Sequence, residues 1–408
     1  MEAVKLVVVF VLIIFALRKR ISVAVTLFSA GLAVALLFWL PISSLLQGYW
    51  DLIKSERFIT LTSVIILITI LGTLLKELRF LDRLGKACQG LRGGSRTAVS
   101  ILPGLVGLMP MPGGSLLSAP LVENVLKDGG YKPEFKVVAN YWFRHIVEFF
   151  WPVYPGLILT GAITGMRIYD VSLLQVPLSV CMATIGYFFF IRKITPSGRS
   201  QESRLGRALL DMSRSLWPIV LAILIYAIFQ INLAYAILLS LVLLTVTARP
   251  NKGQLVTALK SGLTIKLVFL VFGILSFQTV LELTGAIQSI PQLAVTFHLP
   301  SQLVIFLVCF TVGILTGMVS AFVGLGYTLL AGFLYQPELV PANILLAYLA
   351  GYMGMMLSPT HLCLILTNDY FGSQLARVYR LFIPPMLILV ALGLLLYFSP
   401  WPGLFLPK

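Results

Sequence analysis

Long apolar runs separated by short polar stretches make up almost the whole chain. The first, Val4 to Leu17, ends in Arg18-Lys19-Arg20 and not in a small-residue cleavage site, so it reads as a retained span and not a removable leader. Ile21 to Leu40 follows at once, and after a polar stretch around Asp51 to Arg57 a third run occupies Phe58 to Leu75. The basic segment Lys76 to Arg96 suits a helix lying on a membrane surface. Further spans are expected at Val171 to Phe190, Leu216 to Ile231, Leu233 to Val246, Leu263 to Leu283 and Tyr379 to Phe398, with a helical linker near Gln288 to His298. As helices, runs of this length match the ~30 Å hydrocarbon core of a bilayer.

Four apolar stretches carry helix breakers near their centres. In 97–127, Pro110, Pro112 and the pair Gly113 and Gly114 stop a continuous helix, which predicts a hairpin of two half-helices. The stretch 133–164 is interrupted at Trp151-Pro152 and again at Pro155-Gly156. A second hairpin, 301–335, has a glycine-rich tip from Ser320 to Gly326, and 341–371 is interrupted at Ser358-Pro359. Inside a bilayer, the N–H and C=O groups freed by a break are tolerated only where protein or a water-filled cavity covers them. Broken backbone at that depth points to a ligand site.

The two hairpins and two broken helices occur in the same order. Pro359 follows Pro152 by 207 residues, and at this offset Tyr141 meets Tyr348, Leu157 to Thr160 meets Leu364 to Thr367, and Gly165 meets Gly372. The expected architecture is an all-α polytopic membrane protein of two repeats, 1–191 and 215–400, joined by a basic cytoplasmic linker, 192–214. Each repeat holds five transmembrane spans and one re-entrant hairpin. An odd number of crossings inverts the second copy, a plan that recurs in secondary transporters with discontinuous helices at the midplane.

Composition agrees with this picture. Of 408 residues, 59% are hydrophobic and 11% charged, with a mean hydropathy of +0.97, values outside those of soluble domains. The net charge of +15 is no nucleic-acid footprint, because the basic residues form no stripe interleaved with exposed aromatics. With both termini outside, 24 of the 30 Lys and Arg fall in cytoplasmic segments, a positive-inside bias. Cys88, Cys181, Cys309 and Cys363 form no CxxC pair and read as packing residues, not as disulfides or metal ligands. No cofactor is expected.

The chemistry must come from polar residues at membrane depth. Arg144 sits about 15 Å into its helix, near mid-bilayer. Asn140, Arg144 and Glu148 share one helical face with Trp151, and His145 stands beside it. Either Arg144 attracts an anion while Glu148 or His145 exchanges protons, or Arg144 and Glu148 form a closed pair that fixes helix packing. At the second break, Ser358, Pro359, Thr360 and His361 offer hydroxyls and carbonyls to a small cation or a substrate oxygen. His361 either titrates or donates to a carbonyl, and Ser115, Ser118 and Ser320 either bind a ligand or bond their own backbone.

The segments MPMPGGSLLSAP and NYWFRHIVEFFWPVYPG, with GMVSAFVGLG and YMGMMLSPTHLCLILTNDY later on, resemble those of an uncharacterised prokaryotic integral-membrane family. That family is grouped with the ion-transporter superfamily of gluconate, citrate and dicarboxylate permeases. The resemblance implies that Pro112, Gly113, Gly114, Ser115, Ser320, Gly324 and Gly326 at the tips, with Trp151, Pro152, Ser358, Pro359, Thr360 and His361 at the breaks, hold substrate and coupling ion. It also implies a mobile domain moving against a dimeric scaffold in the inner membrane. The Ser-Asn-Thr signature of the sodium-coupled dicarboxylate members is absent from both tips, a departure that touches both sodium coupling and that substrate.

The function expected is cation-coupled secondary transport of a small organic anion, with the proton favoured over sodium and a monovalent-cation site at the hairpin tips as the alternative. A channel or a non-transporting scaffold or receptor would share the hydrophobic pattern. An intramembrane hydrolase is disfavoured: there is no GxSG sequence, no paired histidine spacing for zinc and no pair of membrane aspartates.

Overall fold

A computed structural model describes residues 2–19, 21–80, 83, 94–109, 114–195, 205–286, 289–335 and 338–405. The described residues are helical and contain no strand beyond one isolated bridge between Tyr335 and Leu339. The helices are α1 Glu2–Arg18, α2 Val23–Leu37, α3 Ile42–Lys54, α4 Glu56–Glu77, α5 Gly94–Gly107, α6 Ser115–Leu126, α7 Pro133–His145, α8 Pro155–Thr164 and α9 Ile168–Phe189. They continue with α10 Leu205–Phe229, α11 Leu233–Ala248, α12 Lys252–Gly262, α13 Ile265–Leu283, α14 Ser289–Thr296, α15 Ser301–Thr316, α16 Pro341–Met356, α17 Leu362–Phe371 and α18 Leu375–Tyr397. Four segments, Glu56–Glu77, Ile168–Lys193, Lys252–Leu283 and Leu375–Tyr397, are long and apolar enough to cross a membrane, and several shorter apolar helices accompany them.

Local chemistry accounts for the helix ends. Ser55 accepts from the Phe58 N–H at the start of α4, and Asn251 and Gln254 form a reciprocal capping box on α12. Pro133, Pro155 and Pro341 occupy first-turn positions of α7, α8 and α16, where no N–H is required. Helices α8 and α17 both end on left-handed glycines, Gly165 at φ +71° and Gly372 at φ +61°. These two glycines are 207 residues apart, as are the first residues of α8 and α17 and of α9 and α18.

Several expected boundaries move. The polar stretch before the third span is mostly an amphipathic helix, α3, and another short helix, α12, precedes α13. The linker 192–214 is helical from Leu205 onward, and 196–204 lie outside the described residues. The surface helix expected over Lys76 to Arg96 falls mostly outside them as well. In the second hairpin the chain turns at Gly317 and Met318, not at the glycine-rich segment. Gly317 takes φ +64°, while Gly324 and Gly326 lie within a π-helical stretch, Phe322–Tyr327.

The core centres on α7 and α16. The run Val137 to His145 is buried without interruption, and so is nearly all of α16. A helix buried on all sides must be surrounded by others. Around these two, α5 and α6 pack on α7, α15 packs on α16, and α9 pairs with α18. The hairpins cross over: α6 packs on α17, and the π-helical stretch packs on α8. Helices α2 and α13, with α4 and α12, pack on one another, and this set meets the rest through α4 on α8 and α13 on the π-helical stretch.

Candidate functional site

Both central helices stop in the interior. Helix α7 ends at His145, passes through a 3-10 turn over Ile146–Phe149 and resumes as α8 at Pro155. Helix α16 ends at Met356 and resumes as α17 at Leu362. The first break therefore begins before Trp151-Pro152, and Pro155 starts the second half-helix where an interruption was expected. Carbonyls freed by a break need donors, and tyrosines supply them. Tyr352 Oη donates to the His145 carbonyl at 2.6 Å and Tyr348 Oη to that of Glu148 at 3.3 Å. Tyr141 Oη donates to the Met356 carbonyl at 3.1 Å and Tyr379 Oη to that of Leu357 at 2.9 Å.

Arg144 and Glu148 form a buried ion pair across the end of α7. The shared helical stripe dissolves at this point, because Glu148 sits in the 3-10 turn and Asn140 turns elsewhere. Asn140 Nδ2 donates to the Ser115 carbonyl at 2.8 Å, and Ser115 Oγ donates to the Cys363 carbonyl at 2.8 Å. This chain ties α7 to the first hairpin and to α17.

Beside the ion pair the two halves of the chain meet through histidines. His145 Nδ1 lies 2.6 Å from the Tyr141 carbonyl and His361 Nδ1 lies 2.7 Å from the Gly317 carbonyl. A carbonyl only accepts, so these partners assign the hydrogen to Nδ1 in both rings, and each neutral ring presents a lone pair at Nε2. The two Nε2 atoms face each other at 3.1 Å. Two lone pairs at that separation repel, so the contact is favourable when a cation is shared between them. Glu148 Oε1 lies 3.9 Å from His145 Nε2, and Cys363 Sγ joins the two histidines in a group whose donor atoms all lie within 4.8 Å of one another.

The remaining candidates separate. Pro112 and Gly113 lie outside the described residues; Gly114, which follows them, is buried at the N-cap of α6. Trp151 and Pro152 sit within the first break, where the buried Trp151 Nε1 has no hydrogen-bond partner among the described residues. Ser358 Oγ accepts from the Thr360 N–H at 3.2 Å, a local turn, while Pro359 and Thr360 are exposed and His361 is half-buried. Ser320 is half-buried in the short helix Val319–Ala321 after the Gly317 turn. Gly324 and Gly326 do not line the breaks: a Cβ at Gly324 would meet Ile274 at 2.8 Å, and one at Gly326 would meet Cys309 Sγ at 2.8 Å. They permit close helix packing.

Sequence reasoning missed Cys363 and Gly317. Cys363 meets His145 across 218 positions, a separation that no short motif reports. The identity of Tyr141 and Tyr348 was visible, but their donor role needed coordinates.

At the other end of α7, about 18 Å along the helix, a cavity of about 750 Å³ is lined by Lys132, Lys193, Arg377 and Arg380, with Glu134 among them. Four cations against one carboxylate favour an anion there.

No curated protein matches the chain. Its residues 2–399 match a family described as "Protein of unknown function (DUF401)", and the chain belongs to that family.

Proposed function

We propose that the protein is a secondary active carrier of a small carboxylate-type anion, driven by a cation, with the proton favoured over sodium. The observation that carries this reading is the meeting of two interrupted helices, one from each half, around Arg144, Glu148, His145 and His361. Ionisable groups at membrane depth are costly and mark solute or proton pathways. The basic cavity at the start of α7 supports an anionic cargo.

The recurrence of helix starts at an offset of 207 supports two copies of one unit, with boundaries at 1–191 and 215–400. Five crossings and a re-entrant hairpin in each would invert the second copy and bring the hairpins in from opposite sides. On this reading both termini are outside, the protein lies in a prokaryotic cytoplasmic membrane, and a dimeric scaffold holds a transport domain that moves in an elevator-like manner.

Coupling follows from the closed pair. While Glu148 is ionised it holds the Arg144 guanidinium. A proton on Glu148 releases that fork, which then binds a carboxylate through two parallel hydrogen bonds. Proton and anion load together, because either alone leaves a buried charge without its partner.

Purified protein in proteoliposomes should accumulate a carboxylate in response to a pH gradient, with saturation. The Glu148→Gln variant should lose accumulation and keep at least part of substrate exchange. Unchanged accumulation by that variant would reject Glu148 as the coupling group. Non-saturating flux that ignores the gradient would indicate a channel, and no flux of any carboxylate tested would leave a scaffold role.

A further inference from the structure

We propose that His145, His361 and Cys363 form a binding site for a soft-to-borderline transition-metal ion of the Zn²⁺ class, joining the two helix breaks. The proposal goes beyond carboxylate transport and rests on the donor geometry alone.

The donor set fits such an ion. Both imidazoles are oriented by an Nδ1–H to a backbone carbonyl, Tyr141 for His145 and Gly317 for His361. This outer-shell bond is the one that metal-bound histidines use to fix their tautomer and aim Nε2. The resulting Nε2 to Nε2 separation of 3.1 Å corresponds to an angle of about 100° at an ion with bonds of about 2.0–2.1 Å, close to tetrahedral. Cys363 supplies a sulfur donor within 4.8 Å of a ring nitrogen of each histidine. A shared proton needs only the two nitrogens; a third, soft donor on the same spot favours zinc-class ions over sodium, calcium or magnesium, which prefer oxygen.

Charge balance permits the exchange. Two imidazoles sharing one proton beside a neutral thiol carry one positive charge. A divalent ion held by two neutral imidazoles and a thiolate also carries one, two protons having left for solvent. The neighbouring Arg144 and Glu148 pair therefore faces the same net charge in either state. Access is through the second break, where Pro359, Thr360 and Leu362 are exposed and His361 is half-buried. The fourth position is left to water or to a carboxylate, Glu148 Oε1 being 3.9 Å from His145 Nε2.

The test is titration of the purified, detergent-solubilised full chain with Co²⁺, followed by Zn²⁺ competition. The expected result is one tetrahedral Co²⁺ per chain, with intense d–d absorption and a sulfur-to-cobalt charge-transfer band that Zn²⁺ abolishes. Cys363→Ser should remove the charge-transfer band, and His361→Gln should weaken binding at least tenfold, while Cys309→Ser, which alters a buried cysteine outside the cluster, should retain both. Size-exclusion and thermal-melting profiles establish that each variant is folded. If His361→Gln fails that check, Cys363→Ser with competition decides alone. Absence of the charge-transfer band at stoichiometric Co²⁺, or its persistence in folded Cys363→Ser, would overturn the proposal. Since the readout is spectroscopic and needs no transport, its failure is distinguishable from failure of the carrier reading.

Discussion

Tyr141 and Tyr348 stand 207 residues apart, and each donates its hydroxyl to a carbonyl at the helix break of the other half: Tyr141 to Met356 at 3.1 Å and Tyr348 to Glu148 at 3.3 Å. A break inside an apolar core leaves carbonyls that neither lipid nor aliphatic side chains can satisfy. These two donors, borrowed from the opposite half, tie each break to the other, while the second break also has a donor of its own half in Tyr379.

Tyr141→Phe should therefore destabilise the protein by about 1–3 kcal/mol, the cost of a buried acceptor left without its donor. The ring volume is kept, so packing changes little. Thermal unfolding in detergent measures this. A melting temperature equal to that of the parent would show that the Met356 carbonyl finds another donor and that the reciprocal bond carries no stability.

The buried pair gives a second expectation. Glu148→Leu removes the carboxylate that faces the Arg144 guanidinium and should cost about 3–5 kcal/mol, whereas replacing both, Arg144→Met with Glu148→Leu, should recover most of that loss. Denaturant or thermal unfolding of the two variants checks the order. Recovery of folding without recovery of uptake would assign the pair to transport; equal destabilisation of single and double variants would mean that other contacts hold Arg144.

Arg144→Lys tests the substrate role separately. Lysine keeps the charge but loses the fork that matches a carboxylate, so the KM for the anion should rise by about tenfold or more, a loss of about 1.4 kcal/mol. Initial uptake rates over a range of anion concentrations read it out. An unchanged KM would make Arg144 a packing element.

How far the sequence announced this arrangement differs from element to element. The second break was readable at Ser358-Pro359 because proline removes a helix donor and crowds the preceding turn, although α9 and α18 continue through Pro177 and Pro384. The first begins at Ile146 without a breaker, in a 3-10 turn over Ile146–Phe149 that tertiary contacts hold, among them Tyr352 on the His145 carbonyl and Tyr348 on the Glu148 carbonyl. Glycine density misled in the second hairpin. Gly324 and Gly326 serve close packing, and the single Gly317 makes the turn. The spacing of His145, His361 and Cys363 in space follows from how two distant breaks dock, which periodicity does not encode.

Gly317 can be probed by comparison with Gly130. Both take φ +64°, but a Cβ at Gly317 would meet the His361 backbone nitrogen at 2.8 Å, while one at Gly130 would meet nothing within 4 Å. Gly130→Ala should cost the left-handed penalty alone, about 1–2 kcal/mol. Gly317→Ala should cost more and displace His361 from His145, which the imidazole resonances of the two histidines would report. Equal costs with unchanged resonances would mean that the Gly317 turn does not position His361.

The last expectation concerns how closely the first hairpin approaches the break. On α5, a Cβ at Gly104 would lie 3.4 Å from the Phe143 carbonyl, an ordinary contact, whereas one at Gly107 would collide with the Arg144 carbonyl oxygen and come within 2.9 Å of the Val147 side chain. The Gly107 carbonyl also accepts the Tyr154 hydroxyl. Alanine is the better helix former by about 1 kcal/mol, so Gly104→Ala should be neutral or stabilising. Gly107, the last residue of α5, gains less propensity, and Gly107→Ala must push α5 away from a backbone carbonyl that cannot swing aside, which should lower the melting temperature and weaken the Tyr154 bond. Two variants on one helix, three residues apart and identical in chemistry, thus isolate the approach of the hairpin to Arg144. If both raised the melting temperature alike, the hairpin would not rest on the break.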